Sequence, residues 1–422
     1  MSDSPRQLRN FRPAAGLIKA DYTDFVVEEI PLYPADGAGT HTYFLVEKAG
    51  LTTMQAVAEI ARALNVRRHE IGFAGQKDSH AVTRQWMSVE HVAPEHVAAL
   101  RISRMKVLET TRHRNKLRLG HLKGNAFTVR VRQTEPERLA ELQDALAELT
   151  RRGVPNWFGV QRFGYRGDTW TLGRALVRGD MDEVIHVLLG RPTDADTGTI
   201  HRARELYDRG QYGDAARAWP GLFHTERRAA KVLERTGGNR RKAFFAIDRT
   251  TRSFYVSAYQ SHLFNQVITA RLPTGLDQLW LGDLAWLHAS GAVFRVEDAA
   301  LEQPRADRFD ISPTGPLFGY RMTEPTGPAA DVEAQVYTAD GLAPEALRSG
   351  PARAKGGRRP LRFQPEETRL SLGADARGPY LELGFVLPRG CYATALLREL
   401  FRVEAASRSE PEAEDTEEAP TT

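Results

Sequence analysis

The stretch "NAFTVRVRQTEPERLAELQDALAEL", Asn125 to Leu149, changes its period halfway. At first Phe127, Val129 and Val131 alternate with Thr128, Arg130 and Arg132, so apolar and polar side chains leave an extended chain on opposite faces. Then Leu139, Leu142, Leu146 and Leu149 recur every three or four residues, the stripe of an amphipathic helix. Thr134 is expected to cap that helix, with Pro136 in its first turn. Similar short units recur along the chain. "TDFVVEEI" (23–30) and "HTYFLVEKAG" (41–50) alternate as strands around the turn-forming "PLYPADGAGT". "LTTMQAVAEIARAL" (51–64) sets Val57, Ile60, Ala61 and Leu64 on one helical face, with Thr52 or Thr53 as the cap. "RMKVLETTR" and "PYLELGFVLP" read as strands and "YATALLREL" as a helix. Short alternating units with many antiparallel-looking strand pairs predict the α+β class, a mixed, largely antiparallel sheet with flanking helices.

The middle of the chain differs. From about Asp168 to Arg252 it is helix-rich and punctuated by Gly and Pro; "SAYQSHLFNQVITA" places Tyr259, Leu263, Val267 and Ala270 on one face, and "PTGPLFG" (313–319) reads as a boundary loop. The expected organisation is a core made of residues 1–155 and 321–403, interrupted by an inserted domain over 156–320. Residues 404–422, with seven acids against Arg408, are expected to form a disordered tail.

The 422 residues are 41% hydrophobic and 27% charged, ordinary globular values. No apolar run approaches the roughly 18 residues of a membrane helix, and "MSDSPRQLRNF" lacks the regions of a signal peptide, so a cytoplasmic protein is expected. Cys391 is the only cysteine, which excludes an internal disulfide and a cysteine metal cage; the 12 histidines show no paired ligand spacing, so no metal is expected. The net charge of +4 becomes +10 without the tail. Ten Lys and Arg lie between Arg101 and Arg132 against Glu109 alone, and Arg353, Lys355, Arg358, Arg359 and Arg362 form a second cluster. Such density suits phosphate backbones, which release counterions when neutralised, and points to a polyanion-binding protein.

Chemistry centres on "GFAGQKDSHAVTRQW", Gly72 to Trp86. Asp78 can be read as a catalytic carboxylate, as the N-cap of a helix-like "SHAVTRQW", or as a surface ion-pair partner. Its neighbour Lys77 is no proof of a pair, because adjacent residues of an extended chain point apart. The glycine and lysine spacing does not fit a phosphate loop, and adjacent Asp78, Ser79 and His80 cannot adopt triad geometry. In "GNAF", Asn125 reads as a base contact or a turn residue, and Phe127 as a stacking platform or core. "NWFGVQRFGYRG" interleaves Trp157, Phe158 and Phe163 with Arg162 and Arg166, which suits an unstacked base or a packed hinge.

Taken together, "GLIKADYTDFVVEE", "HTYFLVEKAGLTT", the Gly72–Trp86 stretch, "RHRNKLRLGHLKGNAFTVRVR", "GVPNWFGVQRFG", "SAYQSHLFNQV", "PTGPLFG" and "LPRGCYATALLREL" resemble, in order and over about residues 16–401, the TruD family of tRNA pseudouridine synthases. The resemblance implies a pseudouridine synthase core with an inserted TRUD-type α/β domain. It implies a monomeric isomerase acting on uridine 13 of tRNA without cofactor or metal. It puts the catalytic aspartate at Asp78 and substrate or RNA contacts at Lys19, Lys77, Asn125, Phe127, Arg162, Phe163, Tyr392 and Arg398. One carboxylate suffices for the reaction, by deprotonating C2′ of the sugar or by attacking C1′ or C6. Ser79 stands where many members carry a basic residue. A non-catalytic RNA-binding protein on the same fold is the alternative.

Overall fold

The computed structural model describes residues 5–342, 346–347 and 352–405; of the expected acidic tail, 406–422 lie outside the described residues. Contacts divide the chain into two compact units, residues 6–155 with 363–405, and residues 156–362.

The first unit is built on a ten-stranded sheet. Its main path runs Glu366–Asp375, Gly378–Pro388, Leu122–Arg132, Phe25–Pro31, Val82–Glu90, His41–Ala49, Met105–His113. Every neighbour along it is antiparallel except Phe25–Pro31 with Val82–Glu90. The strand that contains "GNAF" therefore sits beside one strand from the N-terminal region and one from the far end of the chain. Val129 and Val131 are fully buried, as the alternation requires. Helix Thr53–Ala63 lays Val57, Ile60 and Ala61 against Phe44, Val46 and Met87. Its cap is Thr52, reciprocated by Gln55. Helix Leu139–Arg152 buries Leu142, Leu146 and Leu149. Thr134 does not cap it: a turn of 3-10 helix, Pro136–Arg138, intervenes, and the Thr134 hydroxyl is buried without a partner among the described residues.

The run after Ser79 is a strand, not a helix. Val82 and Thr83 are β-branched, and Thr83, Gln85 and Met87 turn inward in a two-residue rhythm that a helix cannot use. Asp78 consequently caps no helix.

The second unit packs helices around Arg249–Arg271, of which Tyr259, Leu263 and Val267 are buried while Ala270 is exposed. Gly173 of helix Thr169–Val177 lets that helix close on it: a Cβ there would lie 2.0 Å from the carbonyl of Tyr255. A four-stranded antiparallel sheet orders Val293–Arg295, Leu284–Leu287, Ile311–Leu317 and Gly357–Pro360. "PTGPL" thus belongs to a buried strand rather than a boundary loop. The strand pairs on one side over Ile311–Pro313 and on the other over Thr314–Leu317. The return of Gly357–Pro360 to this sheet carries the unit to Arg362, past the expected end at 320. Among the described residues, no helix is long and apolar enough to cross a membrane.

In the first unit, helix Ala393–Leu400 buries Glu399 completely, where Oε2 accepts the Gln7 N–H at 2.9 Å. Burial pushes its carboxyl up to about 7. The unfolded chain ionises near 4.5, so the folded state is disfavoured progressively from there up to about 7, and uniformly above. Glu399→Gln is expected to raise the melting temperature at pH 8 and to leave it unchanged at pH 4, as thermal unfolding across that range will show.

Candidate active site

The loop that carries Asp78 spans residues 74–81, between strands Gly72–Phe73 and Val82–Glu90. A buried amide and a buried hydroxyl pin it. The Gln85 amide donates to the Gly75 carbonyl, Thr53 Oγ1 donates to Gln85 Oε1 at 3.0 Å, and the Lys77 N–H donates to Thr53 Oγ1 at 2.9 Å. Lys77 then turns inward and its Nζ donates to Glu29 Oε2 at 2.5 Å, with only 5% and 1% of the two side chains exposed. Asp78 turns the other way. Its Oδ1 accepts the His80 N–H at 2.9 Å, closing a turn, and its Oδ2 accepts from Lys19 Nζ. The Lys19 ammonium also lies 4.6 Å from the centroid of the Phe25 ring. Lys19 holds a left-handed backbone conformation (φ 57°), uncommon for a long side chain.

Strand register supplies the other side of the site. Glu29 stands opposite Asn125 and Val27 opposite Phe127, so the four side chains share a sheet face. Leu387 and Phe385 stand opposite Asn125 and Phe127 on the next strand. Phe127 is half-buried, stacked on Phe385 at 5.0 Å and 16° and edge-on to Phe25 at 6.1 Å. Gly124 permits this closure, since a Cβ there would lie 2.3 Å from the Leu387 carbonyl. The Asn125 Oδ1 is buried with no hydrogen-bond partner among the described residues. Two contact paths thus join Asp78 to the "GNAF" strand: through Lys19 and Phe25 to Phe127, and through Lys77 and Glu29 to Asn125. Tyr392 follows Leu387 by five residues and immediately precedes helix Ala393–Leu400.

The family model for tRNA pseudouridine synthase D (TruD) matches residues 8–400. A tRNA pseudouridine synthase D of Geobacter metallireducens is 45% identical over 404 residues, 95% of this chain and 99% of that protein. One of Geobacter sulfurreducens is 43% identical over 92% of this chain and 94% of its own length. The chain belongs to the TruD family. The fold agrees: a Methanosarcina mazei crystal structure bearing the TruD name superposes with a TM-score of 0.80 at 24% identity, covering 94% of this chain and 96% of that one.

In this TruD-family chain, Lys19, Lys77, Asp78, Asn125 and Phe127 come together in one unit, while Arg162 and Phe163 belong to the other. Phe163 is 7% exposed and serves as core. Arg162 donates to the hydroxyls of Ser257 and Ser261 and lies over Phe254. Trp157 and Phe158 are buried too, so the interleaved aromatics of that segment pack rather than present open rings. Burial lowers the pKa of Arg398, whose carbonyl accepts the Arg6 Nε–H at 2.9 Å. Ser79 is buried, away from the role of an exposed phosphate contact.

The basic clusters are less available than their density suggests. Arg132 donates to both Asp24 and Asp375, and Arg130 to Glu382. Arg358 pairs with Glu333 at 2.6 Å, Arg359 donates to Asn156, and the fully buried Arg362 donates to Ser312 and to the Ala306 carbonyl. Lys106, Arg118 and Lys123 remain exposed with no ionic partner among the described residues. The sequence reading missed Glu29, Thr53, Gln85, Phe25 and Phe385. Glu29 left a trace: it continues the inward face of Phe25 and Val27, an acid where the pattern asks for an apolar residue. Among the described residues, no group of three metal-ligating side chains occurs.

Burial raises the Glu29 carboxyl above its usual range, against the pull of Lys77. Removing one member of such a pair leaves a charge buried, a cost of about 3–5 kcal/mol. Lys77→Met is expected to destabilise the protein by about that much, and Lys77→Met with Glu29→Gln to recover most of it, as denaturant unfolding of wild type and the variants will measure.

Proposed function

We propose that this chain isomerises uridine 13 of tRNA to pseudouridine, as a cytoplasmic monomer, with Asp78 as the catalytic carboxylate. The carrying observation is the Lys19–Asp78 ion pair, joined by contact to a buried, unpartnered Asn125 carbonyl and a half-buried Phe127 ring. The isomerisation breaks the bond from N1 of the base to C1′ and rejoins the sugar through C5. Atoms are conserved, so one positioned carboxylate and a pocket that retains the detached base suffice. Lys19 orients Asp78 and balances its charge through a charge-assisted hydrogen bond. Asn125 Oδ1 can accept from the ring N–H of uracil, and its partner is supplied by the substrate. Phe127 offers the ring on which the extruded base rests, worth about 1–3 kcal/mol against the cost of unstacking. Phe25 and Phe385 hold that ring in place. Lys77, bonded to Glu29, fixes the loop and does not reach for phosphate. Tyr392, at the sheet end marked by Leu387 and Asn125, completes the base pocket.

Asp78→Ala is expected to abolish modification of unmodified tRNA while leaving tRNA affinity within about threefold of wild type. Carbodiimide treatment with primer extension reads the product at position 13, and wild-type modification by the variant would remove the catalytic assignment. Phe127→Ala is expected to lower kcat by about 10- to 100-fold, in line with the stacking energy, and to change Kd for tRNA little. Parallel loss of melting temperature and activity would assign the ring to core packing instead.

A further inference from the structure

The unit of residues 156–362 carries a basic groove and a cavity contiguous with it, and neither contains a residue assigned above to the Asp78 site. The groove lies along helix His224–Arg235. Arg227, Arg228, Lys231 and Arg235 recur at three- and four-residue spacing on one face, while Ala229, Ala230 and Leu233 are buried behind them. With His224 and Glu234 they line a concavity of about 530 Å³. Arg228 leans on Asp248 at 3.2 Å. Lys231 and Arg235 are exposed and have no ionic partner among the described residues, and the Arg227 Nε is buried with no hydrogen-bond partner. A helix face that is merely solvated places opposite charges three or four residues apart. Here Arg227 and Lys231, and Lys231 and Arg235, are like-charged neighbours at that spacing, relieved in the groove, among the described residues, by Glu234 alone, which also lies 3.9 Å from Arg217, so the face keeps an excess of positive charge that favours an anion.

The second cavity, of about 400 Å³, shares His224 and Arg228 with the groove. Phe223, Phe254 and Tyr255 contribute aromatic surface to it, and Arg166 a cation. The Arg166 side chain is only 8% exposed. Nη2 pairs with Asp168 at 3.0 Å and donates to the Arg191 carbonyl at 3.1 Å, and Nε lies 3.9 Å from Asp196 Oδ2, an ionic contact too long for a hydrogen bond; Nε and Nη1 are thus buried with no hydrogen-bond partner among the described residues. A desolvated guanidinium with two unmet donors is costly unless an acceptor arrives. Asp168, Glu226 and Asp248 also line the cavity, Asp168 and Asp248 paired with Arg166 and Arg228; a cavity of this size with aromatic surface and polar groups of both kinds fits a nucleobase, which carries donors and acceptors.

We propose that this unit holds an RNA nucleotide of its own, separate from the target uridine. The phosphodiester lies along Arg228, Lys231 and Arg235, and an unstacked base enters the cavity, meets the aromatic rings and presents a carbonyl or ring nitrogen to Arg166. The inference rests on the reading of tRNA as substrate. Lys231→Gln with Arg235→Gln, both at exposed positions, is expected to weaken tRNA binding about tenfold and to make the slope of log K against log salt shallower by about 1.5 units, close to the loss of two phosphate contacts. KM for tRNA should rise rather than kcat fall. Leu222→Glu, on the cavity rim and 59% exposed, places a carboxylate against the nucleotide and is expected to weaken binding by a similar factor. An unchanged affinity and slope in the double variant overturns the phosphate contact, and wild-type affinity in Leu222→Glu overturns the base pocket. Failure of the wild-type protein to bind or modify tRNA would instead overturn the proposed function.

Discussion

An ammonium and a carboxylate held out of water, Lys77 and Glu29, anchor the candidate site. The pair joins the loop of residues 74–81 to the central sheet at the strand position facing Asn125. Because adjacent side chains of an extended chain point apart, drawing Lys77 inward sends Asp78 outward to meet Lys19. An apolar contact of equal volume would stabilise the loop as well or better. What the ion pair adds is direction, since it is satisfied in only one placement of the loop, and the Thr53 and Gln85 hydrogen bonds specify the same placement.

At the other end of the same strand a second set of charges plays a matching part. Arg132 reaches Asp24 with Nε and Nη2, at 2.8 and 2.6 Å, and Asp375 with Nη1 and Nη2, at 3.0 and 2.7 Å. Its guanidinium holds the Asp375 carboxyl down to about 2. Segments about 350 residues apart in the chain are thereby joined through one side chain near the sheet's centre. Arginine suits this use because its planar fork binds carboxylates at two points and is weakly hydrated. The same preference explains why basic density overstates the surface open to RNA in the Arg101–Arg132 stretch, and more so near Arg358.

Much of the architecture was legible in period and punctuation. The alternation from Phe127 to Val131, the leucine stripe after Leu139 and a cap at Thr52 or Thr53 each express a local rule, so each could be read without knowing the neighbours. The errors have a common cause. "SHAVTRQW" looked helical, and "PTGPL" looked like a turn, because their strands take their character from partners distant in the chain. Phe163 could be read as a base contact or as packing, and its burial could not be read locally for the same reason: burial is a property of what packs against a residue.

The sequence by itself determined the α+β class and the family, because hydrophobic period and ordered motifs are carried by nearby residues along the chain. It also singled out Asp78, Asn125 and Phe127, whose local patterns left chemistry and structure open and to which only the family resemblance gave catalytic and base-pocket roles. Tertiary structure alone decided which cation meets which acid. Lys19 and Asp78 are 59 positions apart, and Lys77 and Glu29 are 48. Such pairs form only where strand register brings their backbones together, and the attraction between desolvated charges depends on that distance rather than on anything written locally in the chain.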